Sequence, residues 1–189
     1  DIQKLAVIGS GQMGAGIAQV AATSGLDVIM IDIKSEFIDN GMIIIEKSLK
    51  KFVEKGKLEG NKAEAILERI GTSLKLEAAA TPDIVIEAVP EIEEIKFETF
   101  KNLDKICKKD TILASNTSSI SITKIGDETK RPGKVIGMHF MNPVPIMKLV
   151  EIINGKKTTE ETTEETVELA EKMGKVALTA NDYPGFVSN

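Results

Sequence analysis

The chain contains a single histidine, His139, at the end of the apolar run Lys134-Val-Ile-Gly-Met-His139. Histidine exchanges a proton near neutral pH. A second apolar run, Lys148-Leu-Val-Glu-Ile-Ile153, holds one acid, Glu151, between apolar neighbours. A carboxylate in that setting can orient an imidazole and stabilise its protonated form. Ser118, in the polar turn Asn116-Thr-Ser-Ser119, and Asn142 add hydrogen-bonding groups. This is the equipment for oxidising an alcohol with a nicotinamide. Hydride leaves carbon readily only as the hydroxyl proton departs, so a base must touch that oxygen. A lone histidine and a lone strand glutamate also occur as structural residues, and a separation of twelve residues does not by itself establish contact.

The nucleotide half of such a reaction has its own signature at the start of the chain. Leu5-Ala-Val-Ile8 reads as a strand and runs into Gly9-Ser-Gly11-Gln12-Met13-Gly14. Ile17, Ala18, Val20, Ala21 and Ala22 follow in a small-residue helix that stops at Gly25, and Asp27-Val-Ile-Met-Ile-Asp32 is a second strand. Gly9 allows a tight turn, Gly11 lets backbone approach a pyrophosphate, and Gly14 lets helix pack close on strand. The helix start, at Gln12 and Met13, offers free N–H groups and a positive dipole end to phosphates. Asp32, eighteen residues past Gly14, is placed to accept from an adenosine ribose and to repel a 2′-phosphate. This favours NAD over NADP, although Lys34 is a nearby cation. A G-x-G-x-x-G turn alone is weak; the same turn between two strands with a terminal acid is strong.

Both groups need a frame that brings the two ends of the chain together. Ser35 to Leu58 is expected to be one long helix, with Ile38, Met42, Ile45, Leu49 and Phe52 on its apolar stripe. Lys47, Lys51 and Lys55 lie on another face beside Ser48, and Lys50 and Lys57 add charge. That face has two readings: a solvated surface helped by pairs such as Glu46 with Lys50, or a dock for a polyanion on an otherwise acidic protein. Asn61 to Arg69 reads as a short second helix, so residues 35–70 form a helical excursion. Further strands are expected at Gly71–Leu76, Ile84–Val89, Thr111–Ser115, Lys134–His139, Lys148–Ile153 and Lys175–Thr179, with helices at Glu91–Cys107 and Thr158–Met173. The alternation predicts an α/β, Rossmann-like, doubly wound and mostly parallel sheet over residues 1–189.

Bulk properties narrow the field. Apolar content of 42% suits a globular core, and a net charge of −5 disfavours nucleic acid as a partner. No run of eighteen apolar residues is present, so no membrane span is expected. Cys107, the only cysteine, excludes an internal disulfide, fits a reducing cytoplasm and reads as a small buried side chain. No metal site is expected.

Five stretches carry a more specific pattern: Val7-Ile-Gly-Ser-Gly-Gln-Met-Gly14, Ile86-Glu-Ala-Val89, Ser115-Asn-Thr-Ser-Ser119, Gly137-Met-His-Phe-Met-Asn-Pro-Val-Pro145 and Pro184-Gly-Phe186. They resemble the amino-terminal domain of the L-3-hydroxyacyl-CoA dehydrogenase family, and within it the bacterial enzymes for 3-hydroxybutyryl-CoA. The His-Phe-x-Asn-Pro-x-Pro segment is far more specific than the glycine turn. The resemblance implies an NAD-binding and catalytic domain that interconverts L-3-hydroxyacyl-CoA and 3-oxoacyl-CoA. It implies His139 as acid/base with Glu151 as its partner, and Ser118 at the substrate oxygen and nicotinamide region. Asn142 would help hold the cofactor, with Glu91 and Lys96 along its ribose and nicotinamide end. Ser48, Lys51 and Lys55 would meet the CoA moiety, and Asn189 would be a second active-site amide. A helical domain of roughly a hundred residues would follow, closing over the acyl site and forming a homodimer. The present chain is expected to stop short of that domain, and to be monomeric and weakly active or inactive on its own. Two rival readings are another NAD-dependent dehydrogenase, for a sugar acid or nucleotide sugar, and a non-catalytic NAD-binding structural protein of the kind found in lens. The segment around His139 weighs against the first. The intact set Ser118, His139, Glu151 and Asn189 weighs against the second.

Overall fold

The computed structural model describes residues 1–183. Among them run eight strands: β1 (Lys4–Ile8), β2 (Asp27–Ile31), β3 (Ile70–Ser73), β4 (Ile84–Glu87), β5 (Ile112–Ser115), β6 (Val135–Phe140), β7 (Leu149–Asn154) and β8 (Val176–Asn181). They form one sheet in the order β3-β2-β1-β4-β5-β6-β7-β8. Only β6 and β7 pair antiparallel. β4 and β5 are buried at every residue, as parallel strands covered on both faces must be. That explains why Ile84-Val-Ile and Ile112-Leu-Ala are apolar without alternation.

Six helices cover the sheet: α1 (Gln12–Thr23), α2 (Ser35–Glu54), α3 (Gly60–Glu68), α4 (Glu93–Ile106), α5 (Ile122–Asp127) and α6 (Glu160–Lys172). One core holds Ile17, Ile45, Ile66 and Leu169 from α1, α2, α3 and α6. The other holds Phe100, Leu103 and Ile125 from α4 and α5. The chain leaves β1 toward β2 on one side and returns at β4 on the other. The strand order therefore reverses at β1/β4, and in open α/β sheets a ligand crevice opens there, outside the carboxyl ends of the strands.

The helical excursion is present and splits into α2 and α3. Its apolar stripe is inward: Ile38, Ile45 and Leu49 are buried. α2 ends at Glu54 rather than Leu58, where Gly56 turns the chain at φ +72°. β3 starts one residue earlier and ends at Ser73 rather than Leu76, and Leu76 opens a 3-10 turn over Leu76–Ala80. α5 was not expected; six residues give too little periodicity, and its signal is Ser121, whose hydroxyl caps Lys124 N. Cys107 is buried as expected, and burial pushes its thiol up to about 11, outweighing the nearby Arg131. No helix among the described residues is long and apolar enough to cross a membrane.

Candidate active site

The glycine turn closes tightly on its surroundings. Gly9 adopts φ +108°, and a Cβ there would sit 2.6 Å from the Ala88 carbonyl oxygen. A Cβ at Gly14 would lie 1.9 Å from the Gly9 oxygen, so its nearest constraint is the turn itself, with the β1 residue Val7 next. Gly11 differs: a Cβ would meet nothing within 4 Å, so this position faces open space. No side chain caps α1 and no acid stands in its first turn. Its first N–H groups are left for an anion. Asp32 is fixed beside them: its Oδ2 accepts from Ser10 N at 2.8 Å and Ser10 Oγ at 2.7 Å, and its Oδ1 from Ile33 N at 2.8 Å. A carboxylate has about four lone-pair sites, so capacity for ribose hydroxyls remains. Lys34 stands 5.5 Å over the Phe37 ring, a cation–π contact that gives this cation a partner other than a ribose phosphate. These residues fit a dinucleotide with a free 2′-hydroxyl.

The proton-handling residues come from the only antiparallel pair among the described residues. β6 and β7 register His139 directly opposite Glu151, and His139 Nδ1 meets Glu151 Oε1 at 3.0 Å. As the carboxylate, Glu151 only accepts, which assigns the proton to Nδ1. Nε2 of the neutral ring is then free as an acceptor. His139 lines a cleft of about 320 Å³ with Met13, Glu91, Lys96, Ser118 and Asn142. Asn116 belongs here too; its Oδ1 accepts from Phe140 N at 2.8 Å and ties the end of β5 to β6.

Under the cleft lies a buried charged network. Glu87 Oε2 accepts from Lys96 Nζ at 2.5 Å and Val89 N at 2.8 Å, and its Oε1 accepts from Ser115 Oγ at 2.6 Å. Lys96 reaches Glu91 Oε1 and Val89 O, each at 3.1 Å. All three of its N–H bonds are thus committed. Lys96 lines the cleft but acts through Glu91 rather than as a free cation. Glu91 Oε2 accepts from Thr117 Oγ1 at 2.7 Å and Ser118 N at 2.9 Å, which holds the turn carrying Ser118. Burial raises the Glu91 carboxyl, but the bonds from Thr117, Ser118 and Lys96 overturn this and hold it down to about 2.

A groove of about 700 Å³ adjoins this cleft at Asn142 and is lined by Lys47, Ser48, Lys51 and Lys55. The structure thereby brings the lysine face of α2 to the same side as His139. One buried residue sets this placement. A Cβ at Gly41 in α2 would sit 2.7 Å from the Ser10 carbonyl oxygen, so α2 rests directly on the glycine turn. Asn189 and the stretch 184–186 lie outside the described residues. Sequence reasoning missed Gly41, Asn116 and Glu87. The last had a visible signal, an acid ending a wholly buried strand with Lys96 nine residues on.

The sequence model for the NAD-binding domain of 3-hydroxyacyl-CoA dehydrogenase matches residues 4–183. The chain belongs to the 3-hydroxyacyl-CoA dehydrogenase family. Among members of that family, it is 54% identical over 186 residues to a probable 3-hydroxybutyryl-CoA dehydrogenase of Deinococcus radiodurans, covering 98% of this chain and 66% of that one. It is 52% identical over 189 residues to the probable 3-hydroxybutyryl-CoA dehydrogenase of Bacillus subtilis, covering 100% and 66%. The crystal structure of (S)-3-hydroxybutyryl-CoA dehydrogenase from Ralstonia eutropha superposes with a TM-score of 0.95 at 41% identity, covering 100% of this chain and 67% of that one. The chain thus spans about two thirds of the length of these 3-hydroxyacyl-CoA dehydrogenase relatives. Its cofactor is NAD, in keeping with the glycine turn and Asp32.

Proposed function

We propose that residues 1–189 form the NAD-binding and catalytic domain of an enzyme that interconverts L-3-hydroxyacyl-CoA, notably 3-hydroxybutyryl-CoA, and 3-oxoacyl-CoA. The observation that carries this reading is the 3.0 Å pair of His139 and Glu151 in a cleft shared with Ser118 and Asn142. His139 Nε2 takes the 3-hydroxyl proton as the C3 hydrogen departs with its electron pair. Bound NAD⁺ supplies the hydride acceptor. Glu151 keeps the ring oriented and stabilises the imidazolium that results. In the reduction direction the same imidazolium protonates the forming alkoxide. The Ser118 hydroxyl donates to Glu91 at 3.3 Å, a long bond that a substrate oxygen can replace. Ser48, Lys51 and Lys55 take the CoA phosphates. The single buried thiol of Cys107 supports a cytoplasmic setting.

The test is NADH oxidation with acetoacetyl-CoA by the full-length protein, alongside Lys51→Glu with Lys55→Glu. The double variant should raise KM for acetoacetyl-CoA on the order of tenfold and leave NADH affinity unchanged. Wild-type CoA affinity should fall with salt, because exposed charges are screened over about 10 Å at 0.1 M. NADH binding without turnover of acetoacetyl-CoA would overturn this reading and leave the two rivals, a dehydrogenase for another substrate and a non-catalytic NAD-binding protein.

A further inference from the structure

The loop joining β6 to β7 makes part of the wall of the lysine-face groove, and a buried cation holds it. Asn142 lines both the cleft around His139 and the groove, whereas Val144, Pro145 and Ile146 line the groove and not the cleft. The loop has little regular structure of its own: Ile146 N and Met147 N both donate to Pro143 O, at 3.1 and 3.0 Å. Val144 is 1% exposed, and a carbonyl buried there needs a donor. Lys175, the residue before β8, supplies it. Its Nζ donates to Val144 O and to Met147 O at 2.6 Å each. The next residue continues the seam, with Val176 N donating to Lys148 O at 2.8 Å. α1 closes on the same loop, since a Cβ at Gly16 would lie 2.8 Å from Val144 Cβ. The loop is thus held by α1 and by the start of β8.

A lysine is a costly residue to place there. Lys175 is 8% exposed and, unlike Lys96, forms no salt bridge among the described residues. Burial, and then the neighbouring Lys148, push its pKa down. A buried charge without an opposite charge is destabilising, and an apolar side chain of similar volume would avoid that. What the ammonium adds is reach from one atom to two carbonyls three residues apart. Those two bonds bracket Pro145 and Ile146, which line the groove. We infer that Lys175 is a positioning residue for the acyl-CoA substrate: by pinning Val144 and Met147 it sets the groove wall against which that substrate lies. It acts through the loop and touches no substrate itself. The glycine turn and Asp32 share no bond with it, so its effect belongs to the substrate rather than to NAD. This rests on the acyl-CoA reading above and deepens it, because it names what shapes the substrate side of the site.

The test uses the full-length protein with two variants. Lys175→Met keeps most of the volume and removes the donors. Lys175→Gln keeps two N–H groups on one nitrogen but gives up the charge and one atom of reach. Lys175→Met should raise KM for acetoacetyl-CoA about tenfold, the size of one lost hydrogen bond, and leave kcat and NADH affinity within about twofold. Lys175→Gln should raise KM by less. Direct binding of CoA should weaken in the same order, without turnover. Melting temperature reports the fold of each variant. Partial unfolding lowers the active fraction, and so kcat, without moving KM; the split therefore separates positioning from stability. Should Lys175→Met fail to fold, Lys175→Gln carries the same comparison at reduced size. An unchanged KM in a folded variant, or kcat and NADH affinity falling along with it, would overturn the assignment. A wild-type protein that binds CoA without turning over acetoacetyl-CoA would sink the dehydrogenase reading alone, and the CoA affinities of the variants would still decide Lys175. A wild-type protein that binds NADH but no CoA would end both.

Discussion

Two acid–base pairs stand on either side of one cleft wall and serve different ends. Glu87 and Lys96 meet at 2.5 Å with side-chain exposures of 0% and 2%. His139 and Glu151 meet at 3.0 Å with exposures of 23% and 42%. In the first pair all three Lys96 protons and both Glu87 oxygens are engaged within the protein, with Ser115, Val89 and Glu91 as the further partners. In the second, one ring nitrogen remains free. A buried and fully satisfied pair is architecture; a half-satisfied pair at a cleft is chemistry. The comparison teaches that distance alone would not separate them, whereas counting unused donors and acceptors does.

The contrast can be broken most strongly at His139. His139→Gln in the full-length protein should reduce turnover by about 10²–10⁴-fold, the usual contribution of a general acid/base. NADH affinity and denaturant stability should stay near wild type. Kinetics paired with a urea melt decide this, and a stability loss as large as the activity loss would place His139 among the architectural groups. At the other pair the expectation is reversed. Lys96→Met strands the Glu87 carboxylate in the core and should cost about 3–5 kcal/mol of stability. Adding Glu87→Gln should recover part of it, and equilibrium unfolding of the two single variants and the double one measures the coupling. If Lys96→Met melts like wild type, the network is not holding the fold.

The smallest effect sharpens the boundary between the pairs. Glu91 bonds Lys96 and lines the same cleft as His139, and its carboxyl lies at about 2 against an ordinary 4.5. Between those values the unfolded chain binds more protons than the folded one, so stability rises with pH there. The Glu91 contribution is complete above about pH 4.5 and is lost as pH falls toward 2. The stability gap between wild type and Glu91→Gln should therefore narrow through that window, as read from denaturant midpoints at several pH values. A gap that stays constant would mean that the turn around Ser118 does not depend on the charge.

The cofactor end was legible because its signal is local. Strand, glycine turn, helix and Asp32 fall within thirty-two residues; Gly14 answers to backbone a few residues away and Gly9 to the end of one neighbouring strand. The catalytic end is non-local. His139 and Glu151 could be named from residue type and resemblance, but their contact depends on the β6–β7 register. A usable signal was present: residues 141–148 are too few for a parallel crossover, which needs about a dozen or more. The lysine face stayed ambiguous for a related reason. Periodicity placed Lys51 and Lys55 on one side of a helix, but not that side beside Asn142. Lys96 shows what resemblance leaves unresolved; it gave the place, and only the geometry shows that the three N–H bonds point into the protein.

Gly41 gives the two ligand sites a common fulcrum. α2 touches the glycine turn there, and Lys55 lies fourteen residues further along, about 21 Å at 1.5 Å per residue. A methyl group at this point would have to lift the helix off Ser10 by several tenths of an ångström, and a rigid rod tilted at one end swings most at the other. The reach of the lysines toward a phosphate is thus set from inside the cofactor turn, by the absence of one carbon atom.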